Sequence, residues 1–222
     1  MFSSEKELVN CIESYISTAP DFIRGERRFV FTELGLGYGI ADVVAVGYSE
    51  TPSTTRKNFL AYFDISLLSL IEKEESISFD DIVYITKSPT KKITSALSSL
   101  INEEFVVFRE GKYISHRKYA DLLTDSIAIE AKLKDWRRAL KQAYRYKWFA
   151  NKSYVFLPKE NITMPEKNLD LFRSYNVGLA SVSREDGLEV LFAPKDEPPV
   201  SDRMRIALNE HLLQNDTATW GF

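Results

Sequence analysis

Apolar residues recur along this chain at two spacings, helical and alternating, and the changes between them delimit its elements. Residues 4–17 carry Val9, Ile12 and Ile16 on one helical face, with Ser3 or Ser4 as cap and Pro20 as stop. Residues 27–34 and 40–48 are β-rich runs joined by Gly35-Leu36-Gly37-Tyr38-Gly39, which predicts a hairpin. Polar residues 49–58 read as a linker. Three helices are predicted next: 59–75 with Leu60, Phe63, Leu67, Leu70 and Ile71 inward, 79–85, and 91–102 behind the Ser88-Pro89-Thr90 cap. Residues 105–108 and 113–115 then form a second hairpin. The apolar run Ile127-Ala128-Ile129 predicts a buried strand, and a helical pattern follows it at once. Its apolar stripe is Leu133, Trp136, Leu140 and Ala143, and its polar stripe is Arg138, Gln142 and Tyr146. Strand 153–157, helix 165–175, strands 177–183 and 188–192 and helix 203–213 complete the chain, with 214–222 a frayed end. Alternating strand and helix predicts an α/β fold.

Charge changes this picture in one place. Between Ala131 and Lys152 stand eight Lys/Arg and one acid, a net +7 in a chain whose total is −3. The mild overall acidity excludes non-specific coating of nucleic acid but leaves room for a local basic groove. One cysteine, Cys11, excludes an intrachain disulfide framework and fits a reducing compartment. The two histidines, His116 and His211, lie too far apart in sequence to suggest a zinc cluster. The N-terminal MFSSEKELVNC has acids where a signal peptide needs a basic flank and an apolar run, and no stretch approaches a membrane span. A cytoplasmic location, without membrane association, is the expectation.

The candidate chemistry sits around residue 130. Glu130 and Lys132 are two residues apart, so an extended strand sends both side chains to the same side. Asp42 is an acid at the mouth of the apolar strand 40–48, and Glu5 lies at the end of the first helix's apolar face. The glycines 35, 37 and 39 imitate a dinucleotide loop, but a strand follows them where that loop needs a helix. Taken alone, Glu-x-Lys is a weak signal: Glu110-Gly111-Lys112 repeats it inside a turn. A bland reading makes Glu130 and Lys132 an exposed ion pair worth ~0–1 kcal/mol. It makes Gln142 and Tyr146 an ordinary polar helix face, and the helix aromatics, Trp136 and Trp148 among them, core residues.

Taken together, these residues resemble the PD-(D/E)XK nuclease superfamily, the fold of many restriction enzymes, Holliday-junction resolvases and repair exonucleases. The resemblance rests on Glu5 in a first helix, Asp42 in a hairpin, Glu130-Ala131-Lys132 after a buried strand, and Gln142-Ala143-Tyr144-Arg145-Tyr146 in the next helix. Two departures stand out. Ala41 precedes Asp42 where the family name has proline, and eighty-seven residues separate Asp42 from Glu130 where the family has a short connection. Residues 55–116 fill that gap. Their three helices and hairpin resemble a winged helix, whose third helix here offers Lys91, Lys92 and Ser95.

The resemblance implies a restriction-endonuclease-like mixed sheet flanked by helices, spanning 1–54 and 117–222, with an inserted α+β winged-helix domain at 55–116. It implies metal-dependent phosphodiester hydrolysis using Mg²⁺ or Mn²⁺. Asp42, Glu130, the Ala131 carbonyl and Glu5 would hold the metal, with Glu33 as substitute for Glu5. Lys132 would act on the attacking water, and Gln142 and Tyr146 would hold a backbone phosphate. Arg138, Lys141 and Arg145 would draw the strand in, helped by Lys91, Lys92 and Ser95. The expected partner is DNA, with a homodimer also admitted. The alternative from a different class is a non-catalytic DNA-binding or regulatory protein that keeps the nuclease fold as a scaffold.

Overall fold

A computed structural model describes residues 1–19, 22–37, 39–49, 56 and 58–215. The expected helix stop at Pro20, most of the 49–58 linker and residues 216–222 of the expected frayed end lie outside the described residues. In chain order the elements are α1 (Glu5–Thr18), β1 (Arg27–Gly35), β2 (Ile40–Tyr48), α2 (Tyr62–Glu74), β3 (Ser76–Ser78), α3 (Phe79–Thr86), α4 (Thr90–Asn102), β4 (Val106–Arg109) and β5 (Lys112–Ser115). Then come β6 (Leu123–Ala131), α5 (Trp136–Tyr146), β7 (Lys152–Pro158), α6 (Thr163–Glu166), α7 (Leu169–Tyr175), β8 (Gly178–Ser183), β9 (Gly187–Phe192) and α8 (Asp202–Asn215). They fall into two compact units, Met1–Glu50 with Leu122–Arg205, and Thr51–Asp121 with Ile206–Phe222.

The first unit is an α/β layer structure around a mixed six-stranded sheet ordered β1-β2-β6-β7-β8-β9. The β6–β7 and β7–β8 pairs are parallel and the others antiparallel. β2 and β6 are buried along nearly their whole length because they lie inside the sheet, with both faces covered. Odd positions such as Val43, Ala45, Ile127 and Ile129 pack with Leu8, Ile12 and Ile16, the buried stripe of α1. That helix is started by Ser4, whose hydroxyl accepts from the Glu7 amide. Even positions face α5, which buries Trp136, Ala139, Leu140, Ala143 and Tyr146. Gly47 is obligatory in β2, since a Cβ there would stand 1.8 Å from the Arg24 carbonyl oxygen.

Three local expectations are corrected. The helix after β6 starts at Trp136 and not Leu133, because Asp135 caps it by accepting from the Arg138 amide at 3.1 Å. The expected helix 165–175 is two, α6 and α7, broken at Lys167 and Asn168. Tyr146, placed on the polar stripe, is only 1% exposed.

The second unit contains α2, α3 and α4 and a three-stranded antiparallel sheet ordered β3-β5-β4. Its core holds Ile65, Leu68, Ile82, Ile93, Leu97, Leu100 and Phe105. β3 was not anticipated; three residues are too few to display a period. The expected division at 117–222 also differs, because the chain from Ile206 on belongs to this unit. The physical reason is Glu210, which is buried and accepts from Arg56 Nη1 and Nη2 at 2.7 and 2.9 Å. It also accepts from the Leu60 amide at 2.7 Å and the Tyr119 hydroxyl at 2.6 Å. Among the described residues no helix is long and apolar enough to cross a membrane.

Candidate active site

The site forms where β2 and β6 run out together. Their antiparallel register pairs Val43 with Ile129, so Asp42 and Glu130 are the next cross-strand neighbours and share the face that α5 covers. The Ala131 amide donates to Asp42 Oδ2 at 2.7 Å, tying together two strand ends far apart in sequence. Lys132 follows directly. Its Nζ lies 3.2 Å from Glu130 Oε1, 3.1 Å from Glu5 Oε2 and 3.3 Å from the Ala131 carbonyl oxygen. One ammonium thus sits among oxygens from α1 and from the end of β6.

Glu130 is 1% exposed, so the pair it makes with Lys132 is not the exposed ion pair of the bland reading. Burial pushes the Glu130 carboxyl above its usual range, and the Asp42 charge adds to that. Burial likewise raises Asp42, helped by Glu5 and Glu33, while the Ala131 amide and Lys132 pull the other way. For Lys132 burial opposes the charge, yet Glu5, Glu130 and Asp42 outweigh it and hold the ammonium above the ordinary lysine value. The amine therefore stays protonated through neutral pH.

Glu33 sits in β1 between the pairs Thr32–Val43 and Leu34–Ala41, opposite Asp42, and has a left-handed backbone with φ 53°. A non-glycine residue there is uncommon, and the strain of about 1–3 kcal/mol is stored beside the candidate acids. Glu33 is exposed and makes no contact with Lys132; Glu5 does.

Tyr146 departs from its expected role. It presents its one hydroxyl proton to two acceptors, Glu130 Oε2 in a short contact and the Ile40 carbonyl oxygen at 2.8 Å. Burial and the Glu130 charge push its own ionisation far up, so it remains a donor. It holds Glu130 and does not reach out to a phosphate, because a carboxylate buried at a strand end needs a donor from the covering helix. Gln142, one turn earlier on the same helix face, has its Oε1 buried without a hydrogen-bond partner. Arg138, Lys141 and Arg145 are exposed on α5. In the other unit Lys91, Lys92 and Ser95 are exposed on α4, with Lys92 Nζ 4.3 Å from the Phe63 ring centre.

The donor set can be tested against a hard dication. Among the described residues no group of three or more His, Cys, Asp or Glu side chains is arranged to hold a metal unaided. Glu5, the third acid, is turned to Lys132. In kind, however, the donors fit: Asp42, Glu130 and the Ala131 carbonyl are all oxygen ligands. In charge they fit as well, since three carboxylates share one ammonium and both inner acids resist ionising. The orphaned Gln142 oxygen is a further sign of an incomplete polar site. Set against known proteins, the chain matches no family model, no curated protein and no solved structure.

Proposed function

We propose that this chain is a metal-dependent nuclease of the PD-(D/E)XK type, with a restriction-endonuclease-like first unit and a winged-helix second unit that aids DNA recognition. The observation that carries the reading is the meeting of Asp42, Glu130 and Lys132 at one end of β2 and β6, across eighty-seven intervening residues. A structural ion pair has no need of a second, half-buried acid beside the first, and burial raises the ionisation of both carboxyls where they stand.

In this reading Asp42, Glu130 and the Ala131 carbonyl hold Mg²⁺ or Mn²⁺. The ion when bound supplies a water of lowered pKa as nucleophile and offsets charge on the scissile phosphate. Tyr146 fixes the Glu130 carboxylate through its hydroxyl, and the Ala131 amide fixes Asp42. Lys132, held protonated by its acidic neighbours, acts as a fixed positive charge beside the phosphate rather than as a base. Arg138, Lys141 and Arg145 attract the backbone from the exposed side of α5. Lys91, Lys92 and Ser95 do the same from α4.

A second reading, a non-catalytic DNA-binding protein on the same scaffold, draws on the closed Glu5–Lys132–Glu130 cluster, in which the lysine itself neutralises the acids. Incubation with single-stranded, duplex and branched DNA in Mg²⁺, Mn²⁺ and EDTA separates the two. The nuclease reading expects metal-dependent cleavage of at least one substrate. DNA binding with no cleavage in either metal leaves the scaffold reading.

A further inference from the structure

Helix α5 presents a second face, away from Glu130, to a groove. At about 100° per residue, Gln142 and Tyr146 point one way and Trp136, Leu140 and Tyr144 point the other. Arg138 and Arg145 lie between these faces, so cations run from one to the other. The far face and α7 enclose a groove of about 490 Å³, within the roughly 300–1,000 Å³ of small-ligand sites. Its floor is apolar, from Trp136, Leu140 and Leu171. One wall is the edge-on pair Tyr144 and Tyr175, ring centres 5.2 Å apart, both nearly half exposed at 48% and 44%. The rim carries Arg137, Lys141 and Arg145, none ion-paired among the described residues. Arg137 lies over the Trp136 ring at 4.7 Å.

These features describe an occupant that is flat, apolar on its faces and anionic at its edge. A wholly apolar partner would strip water from three cations without pairing them. Double-stranded DNA would meet the cations but keep its bases stacked inside the helix, away from the tyrosines. An unpaired nucleotide satisfies both halves, its base against the aromatic rings and its phosphates on the rim. We propose that the α5/α7 groove binds an unstacked base of single-stranded DNA, with flanking phosphates on Lys141 and Arg145. The strand then passes over Arg145 and Arg138 toward Gln142. The identity of the polymer rests on the nuclease reading; the groove and its charge do not.

The test is fluorescence anisotropy of the full chain in EDTA, with a labelled oligothymidylate and a blunt duplex of equal length. Tyr144→Ala and Tyr175→Ala each weaken oligothymidylate binding about 5- to 150-fold, the range for losing one base–aromatic stack. Duplex binding changes less than twofold, and Tyr144→Phe, which keeps the ring, retains most of the single-strand affinity. Unchanged circular dichroism and melting temperature show that the half-exposed tyrosines were not needed for folding. Equal losses for both DNAs, or none for either, overturn the proposal. So does a wild type that binds a poly-glutamate peptide but not oligothymidylate, or one that dimerises through Tyr144 and ignores DNA. Groove-dependent binding without cleavage in Mg²⁺ sustains the groove and sinks the nuclease reading. Cleavage indifferent to both tyrosines does the reverse.

Discussion

Replacing Lys132 by Met removes the only ammonium from a cluster that holds Glu130, Asp42 and Glu5. The Glu5 contact is partly solvent-exposed, its side chain at 48%, and contributes no more than about 1 kcal/mol. The Glu130 contact is different, because that side chain is 1% exposed and Lys132 only 16%. Leaving one buried partner of such a pair uncompensated costs about 3–5 kcal/mol. We take the lower end, about 3 kcal/mol, because the Tyr146 hydroxyl still donates to Glu130. With urea slopes of about 1–3 kcal/mol per molar, the unfolding midpoint falls by about 1–3 M. The sign with pH follows from the raised Glu130 pKa. A raised acid penalises the folded state above its ordinary value, and loss of Lys132 enlarges that penalty. The deficit is therefore full near pH 8 and shrinks as pH falls and Glu130 takes up its proton. Mg²⁺ stabilises the variant by about 2.7 kcal/mol at a hundred times its dissociation constant, and wild type by less at the same concentration, since a dication replaces the missing charge. Urea titrations at pH 8 and pH 5, with and without Mg²⁺ and followed by tryptophan fluorescence, measure all three effects. A pH-independent deficit, or no gain from Mg²⁺, refutes this account of the cluster.

Three further outcomes follow from the same geometry. Glu210→Ala leaves Arg56, Tyr119 and the Leu60 amide without their shared acceptor and costs the second unit about 3–5 kcal/mol. The double change Arg56→Met with Glu210→Leu recovers much of it, read as hydrogen-exchange protection of α2 and α4. Lys91→Ala with Lys92→Ala weakens duplex binding and lowers its salt slope by about two, with no effect on the chemical step. Cleavage at limiting Mg²⁺ declines with acid at a pH above the ordinary carboxylate range, because Asp42 and Glu130 must both be ionised and burial holds both up. A pH–rate profile whose acid limb lies within the ordinary range contradicts it.

Much of the sheet was legible because its inner strands carry apolar runs, Val43–Val46 in β2 and the shorter Ile127–Ile129 in β6, and burial on both faces favours that. The meeting of Asp42 with Glu130 was expected from the family resemblance alone, because the register that makes them neighbours, Val43 opposite Ile129, is set by strand pairing that neither segment displays by itself. Tyr146 was misplaced because the hydroxyl that suggests a polar face is the group its burial requires, a donor to Glu130. Trp136, Trp148 and the other aromatics of this stretch, Tyr146 apart, were expected to be core. Trp136 is, but Tyr144 on the charged side of α5 and Trp148 just past its end are exposed. Glu210 gave no signal, as an acid in an amphipathic helix looks solvated until Arg56 and Tyr119 are placed. The strain at Glu33 was equally hidden, because backbone sign is decided by the hairpin and not by glutamate.

The central claim, that Asp42, Glu130 and Lys132 form a phosphodiesterase site, is tested most directly by comparing wild type with Asp42→Asn. Asparagine keeps the acceptor for the Ala131 amide and removes a charge that burial disfavours, so the variant folds at least as stably. A neutral amide is a poor ligand for a hard cation. The measurement is cleavage of the DNA panel at pH 8 over a Mg²⁺ titration, with DNA binding recorded in EDTA beside it. The account predicts metal-dependent cleavage by wild type, none by Asp42→Asn at any Mg²⁺ concentration, and DNA binding by the variant undiminished. Cleavage by Asp42→Asn at the wild-type rate, or no cleavage by wild type of any substrate in either metal, contradicts it.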